Sequence, residues 1–155
     1  MKKLLYLLVF MIFALTSIGQ RINFSGTWTL NKVKSSLFEQ YSLAPTQLIL
    51  IQTSDSLMVE KHGNFQGQVY VTKDKFSFDG KECINSGIIE SKKTSILGWS
   101  EDGKILTVSS KVPTHDQGEA TLNEVYMMEE NNLKVMLNAA SLMGEMSETY
   151  LLDKQ

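Results

Sequence analysis

The feature that most limits what this chain can become is its punctuation. Runs of residues with alternating or continuous apolar character are broken by turn signals about every ten positions, a spacing that suits strands and leaves little room for helices. Asp79-Gly80 and Asp102-Gly103 each separate two such runs, and Asp-Gly tolerates the positive φ that tight hairpins need. Ser54-Asp55-Ser56, Gly63-Asn64 with Gly67, and Glu130-Asn131-Asn132 supply further breaks. The runs between them cover residues 24–30, 46–53, 57–62, 68–73, 75–78, 82–84, 95–99, 105–112, 120–129, 133–138 and 146–152. Pro45 and Pro113 both fall at run margins, where a missing N–H does least harm.

Composition agrees. Beyond residue 19 there are four alanines against 10 Thr, 8 Val, 8 Ile, 5 Phe, 4 Tyr and 2 Trp, a balance that favours pleated, half-buried strands. The sequence therefore predicts one all-β domain, an antiparallel barrel or sandwich of about 8–10 strands. Alternation sets Val69/Val71, Phe76/Phe78 and Leu133/Val135/Leu137 on one face, with Tyr70, Ser77, Lys134 and Met136 on the other. Leu48 to Ile51 is apolar throughout, which predicts cover on both faces. A short helical turn is expected over residues 35–41, where Leu37, Phe38 and Tyr41 share a side.

The first twenty residues read as an address. Lys2 and Lys3 precede an apolar run from Leu4 to Leu15, and Thr16-Ser17-Ile18-Gly19 forms a small-residue exit. A dozen apolar residues are too few for a span, which needs ~20. The expectation is a cleaved signal peptide over residues 1–19 and a domain over 20–155, with no lipidation cysteine at the cut and no later transmembrane segment. Cleavage would move the formal charge from −2 to −4 by removing two lysines. That balance argues against a nucleic-acid partner, which calls for a basic face. The expected location is secreted or periplasmic, and the Lys-Lys start with its short core suits bacterial export. Cys83 stands alone, so no disulfide forms within the chain, and a lone thiol is most often a small buried apolar group.

Ser25-Gly26-Thr27-Trp28-Thr29-Leu30-Asn31, followed by Lys34-Ser35, resembles the opening of short secreted bacterial lipocalin-like domains. The likeness continues at Asp79-Gly80-Lys81, at the hairpin from Trp99-Ser100 to Gly103-Lys104, and at Tyr150-Leu151-Leu152, so it covers residues 24–152. It implies an antiparallel lipocalin-like β-barrel in which Gly26 and Trp28 are structural and the Trp closes the barrel bottom. In that family an Arg near the barrel's end covers this Trp; here the only Arg is Arg21, ahead of the strand.

Chemistry-bearing motifs are sparse. His62 and His115 are the only imidazoles, and no Gly-x-Ser-x-Gly elbow, His-Glu-x-x-His or phosphate loop occurs. No catalytic residues are assigned, and an enzyme would require one of these histidines to converge with a carboxylate inside a pocket. The methionines at 58, 127, 128, 136, 143 and 146 are soft copper-type ligands in principle, but Met127 and Met128 face opposite ways on a strand and core packing explains them. No metal or cofactor is expected. Barrels of about eight strands either fill with side chains or hold one small ligand. Phe76, Phe78, Trp99, Tyr126, Met128, Met136 and Tyr150 are the candidate lining, apolar with a few hydroxyls, as ligand pockets commonly are. The function expected is binding of a small hydrophobic or amphipathic molecule in the interior. The alternative is a structural or protein-interaction module acting through its outer surface, without enzymatic activity.

Overall fold

The computed structural model describes residues 21–38, 41–65, 67–86, 92–114 and 118–155; the expected leader over residues 1–19 and His115 lie outside them. Among the described residues ten strands form: β1 (Gly26–Leu30), β2 (Gln47–Gln52), β3 (Ser56–Phe65), β4 (Gln68–Ser77), β5 (Cys83–Ser86), β6 (Lys92–Trp99), β7 (Leu106–Pro113), β8 (Glu119–Glu129), β9 (Asn132–Ser141) and β10 (Gly144–Lys154). All pair antiparallel in one sheet of order β4-β3-β2-β1-β10-β9-β8-β7-β6-β5. Consecutive strands are neighbours, and β10 returns to β1 with Trp28 opposite Lys154.

The sheet curls until β4 lies beside β5, so the barrel is nearly closed. That seam is sewn by side chains, since no backbone ladder joins the two strands. The Lys75 N–H donates to Asn85 Oδ1 at 2.8 Å, Asn85 Nδ2 donates to the Lys75 carbonyl at 3.2 Å, and the Ser77 N–H donates to Cys83 Sγ at 3.3 Å. Cys83 packs half-buried against the core.

Asp-Gly does what its chemistry suggests: Gly80 and Gly103 take φ of 73° and 69°. The barrel base, where β1 begins, is closed by chain ahead of β1. Phe24 is fully buried and stacks on Trp99 at 5.8 Å, and the Arg21 guanidinium lies over the Phe78 and Trp99 rings. Trp28 is buried, and its Nε1 donates to the Phe24 carbonyl at 3.0 Å. Its ring is covered by the Lys154 ammonium, 5.3 Å from the centroid, a cation supplied from the last strand where the family resemblance leads one to look for Arg. Gly26, at φ +150°, leaves room for that lysine: a Cβ there would stand 3.1 Å from Lys154 Cε.

Three expectations need correction. The runs at 68–73 and 75–78 are one strand, because Asp74 continues the pleat and is met by Lys93. Continuity reverses the upstream phase: Val69 and Val71 point outward, 81% and 50% exposed, while Tyr70 turns in. Leu48 and Leu50 are buried, but Ile51 is exposed, so β2 is covered on one face only. No helix occurs among the described residues of 35–41. There Ser36 exchanges backbone bonds with Thr149 (2.9 and 2.8 Å), and the Glu148 carboxylate takes the N–H groups of Phe38 and Leu43 (2.9 and 3.0 Å). Donors that a helical turn would need are thus engaged by β10.

Candidate functional site

Strand pleating gives each wall one inward set, and the sets stack into two layers. The lower layer, toward the base, is apolar: Trp28, Leu50, Leu57, Phe76, Leu106, Leu133 and Leu152 are buried, with Phe78, Trp99 and Met128 packed against them. Further along five of the strands, toward the opposite mouth, charged or hydroxylic side chains join the inward set, opposite the apolar Leu48, Val59, Val108, Val135 and Leu137. Lys61 follows Leu57 and Val59 on β3, Asp74 precedes Phe76 on β4, Lys93 precedes Ser95 and Leu97 on β6, Glu124 precedes Tyr126 on β8, and Glu148 precedes Tyr150 on β10.

These groups are connected. Lys61 bonds Glu124, and because four strands separate β3 from β8 around the sheet, this ion pair crosses the lumen. Lys93 Nζ lies 2.5 Å from Asp74 Oδ2, reaching over the seam from β6 to β4. Tyr126 donates to Glu124 at 3.3 Å and Tyr150 to Glu148 at 2.8 Å, while Ser95 and Ser110 share a hydrogen bond at 2.7 Å. Burial by itself would raise the Glu124 carboxyl, but Lys61 and Lys93 outweigh it and hold it below the ordinary range. Burial likewise disfavours the Lys61 ammonium, and Glu124 overcomes that, raising it. Burial first, then Glu124, pushes the Tyr126 hydroxyl well up, and burial followed by Glu148 does the same to Tyr150. The phenols therefore act as fixed neutral donors, and Lys61 and Glu124 as fixed charges.

The mouth is roofed by the described residues between β1 and β2, 31–38 and 41–46. Leu37, Leu43 and Ala44 pack on the core, held down where Glu148 binds the Phe38 and Leu43 amides. Tyr70 lies under the same end, opposite Gly63, where a Cβ would collide with its ring.

Of the residues singled out from sequence, Phe76, Phe78, Trp99, Tyr126, Met128 and Tyr150 converge in this interior. Met136 does not. Leu133, Val135 and Leu137 occupy the inward positions of β9, so period two places Met136 on the outer face. The charged layer was missed. Its signal was available, since extending each inward set by one pleat reaches Lys61, Asp74, Lys93, Glu124 and Glu148. His62 points outward and bonds Glu60 at 2.6 Å beside an open groove lined by Thr29, Gln47, Asn64 and Val69. Among the described residues no group of three or more His, Cys, Asp or Glu is placed to hold a metal ion. No helix there is long and apolar enough to cross a membrane.

No protein-family model and no curated protein sequence matches the chain. Solved structures do. Zebrafish ileal bile acid-binding protein, crystallised with cholic acid, matches with a TM-score of 0.61 at 16% identity, over 85% of this chain and 98% of that one. The barrel is lipocalin-like. A second lipocalin-like match is secretory abundant heat soluble protein 4 from Ramazzottius varieornatus, with a TM-score of 0.51 at 13% identity, over 84% of this chain and 94% of that one.

Proposed function

We propose that the protein is an exported binding protein that encloses one small amphipathic molecule in its barrel. The observation that carries this reading is the division of the interior into an apolar floor and a charged, hydroxyl-bearing layer beneath a roof. A protein needing only a stable core gains little from buried ion pairs, whose desolvation cancels much of their attraction. A ligand with an apolar body and a polar end is matched by both layers. The resemblance in fold to a bile acid-binding protein supports a ligand inside the barrel. Export is supported by the basic, apolar and small-residue order of residues 1–19.

Titration with N-phenyl-1-naphthylamine, an uncharged fluorescent probe, should show saturable uptake at one site per chain, abolished by Leu57→Trp in the floor. Absence of uptake by the folded protein rejects interior binding. It would leave the outer-surface module, which exposed Val69, Val71 and Ile84 beside the seam favour. Amino-terminal sequencing of protein recovered outside the cytoplasm should begin at Gln20.

A further inference from the structure

The Lys and Arg groups inside the barrel can be counted completely, because none of those in residues 21–155 falls outside the described residues. Arg21 is exposed at the base, and the lysines other than Lys61 and Lys93 are exposed or, for Lys134, bonded to Glu129 at the surface. The interior therefore offers two ammonium groups, and each is already engaged, Lys61 by Glu124 and Lys93 by Asp74. Against them, among the described residues, stand three buried carboxylates: Asp74, Glu124 and Glu148. Glu148 is fully employed by the Phe38 and Leu43 amides and the Tyr150 hydroxyl. Asp74 is not. It is 1% exposed, its Oδ2 meets Lys93, and its Oδ1 is buried with no hydrogen-bond partner. The other buried orphan, Trp99 Nε1, lies at the base among aromatic rings.

From this we infer that the occupant is an amphiphile whose head group donates hydrogen bonds, a hydroxyl or a protonated amine, and that carboxylates are disfavoured; this rests on the interior being the binding site. A donor from the ligand completes the coordination of Asp74 Oδ1, and a positive one also offsets the surplus negative charge. An incoming carboxylate meets that surplus and finds no free cation. To be neutralised it must take Lys61 or Lys93 from its partner, leaving a second buried carboxylate unmatched. Entry requires the side chains of the charged layer to part, and Asp74 and Lys93 stand at the seam, where no backbone ladder resists.

Competition against N-phenyl-1-naphthylamine at neutral pH, using dodecan-1-ol, dodecylamine and dodecanoate, tests this with one tail and three heads. The alcohol and the amine should displace the probe at concentrations at least about tenfold below that of dodecanoate. Asp74→Asn should shrink the amine-to-acid ratio to about threefold or less. If dodecanoate competes as well as the others in the unaltered protein, the head-group assignment is overturned while interior binding stands. If neither the probe nor any of the three binds, as checked by calorimetry, both readings fall. Should Asp74→Asn not fold, the ranking in the unaltered protein decides alone.

Discussion

Trp28 and the Lys61–Glu124 pair show how differently side chains turned into one interior can matter. Trp28 is apolar bulk with one satisfied donor, so Trp28→Ala should cost about 3–5 kcal/mol in denaturant unfolding. A loss below ~1 kcal/mol would contradict its place as the plug of the base. For the ion pair, context decides. Lys61→Met strands Glu124 in the interior and should cost about 3–5 kcal/mol, whereas Lys61→Met combined with Glu124→Gln should recover most of that. A double-mutant cycle with additive losses would show that the two side chains do not act as a unit. Both groups also set the pH response. Glu124 sits below its ordinary value in the fold, so its contribution is in place above ~4.3 and fades as pH falls through the lowered value. Lys61 is raised, so its contribution is in place below ~10.4 and fades as pH climbs through the raised value. Tyr126 and Tyr150 are raised as well, and above ~10 the unfolded chain ionises them while the fold does not. Melting temperature should be flat from about pH 5 to 9 and fall on both sides. Absorbance at 295 nm should show these two phenols ionising only as the barrel unfolds.

At the scale of the strand, the pleat assigns consequences residue by residue. On β9, Val135→Ala should cost about 2 kcal/mol or more, and Met136→Ala on the outer face under ~1 kcal/mol, both read by chemical denaturation. Gly63→Ala should cost about 1–3 kcal/mol, because the new methyl overlaps the far end of the Tyr70 ring, which must shift to make room. The same period explains what could be read from sequence. Turn chemistry at Asp102-Gly103 located the β6–β7 hairpin, Asp79-Gly80 located a turn but between two strands that form no ladder, and Gly26 with Trp28 located the base. Aromatic and aliphatic side chains announced their face, so most of the floor was legible. The charged layer was marked by the pleat alone, against the rule that a lysine or glutamate inside a strand ordinarily marks the solvent side. Lys61 and Glu124 lie inward because each neutralises the other across the lumen, a relation between residues 63 positions apart. The Val69/Val71 face was misread for a related reason: Asp74 resembles a strand break until Lys93 is placed beside it.

For the molecule as a whole, closure depends on two different joints. Between β4 and β5 the wall is held by Asn85, Cys83 and the Asp74–Lys93 pair, contacts that can part without breaking a ladder. Asn85→Ala should speed hydrogen exchange at amides of β4 and β5 while leaving β8 and β9 protected. Between β1 and β10 the joint is a true ladder, Trp28 to Lys154 and Leu30 to Leu152, made by the first and last strands of the sheet in chain order. A growing chain on the ribosome thus has β1 waiting for a neighbour that emerges only after the eight strands between them. This side of the wall stays pliable until β10 has left the ribosome and found its place.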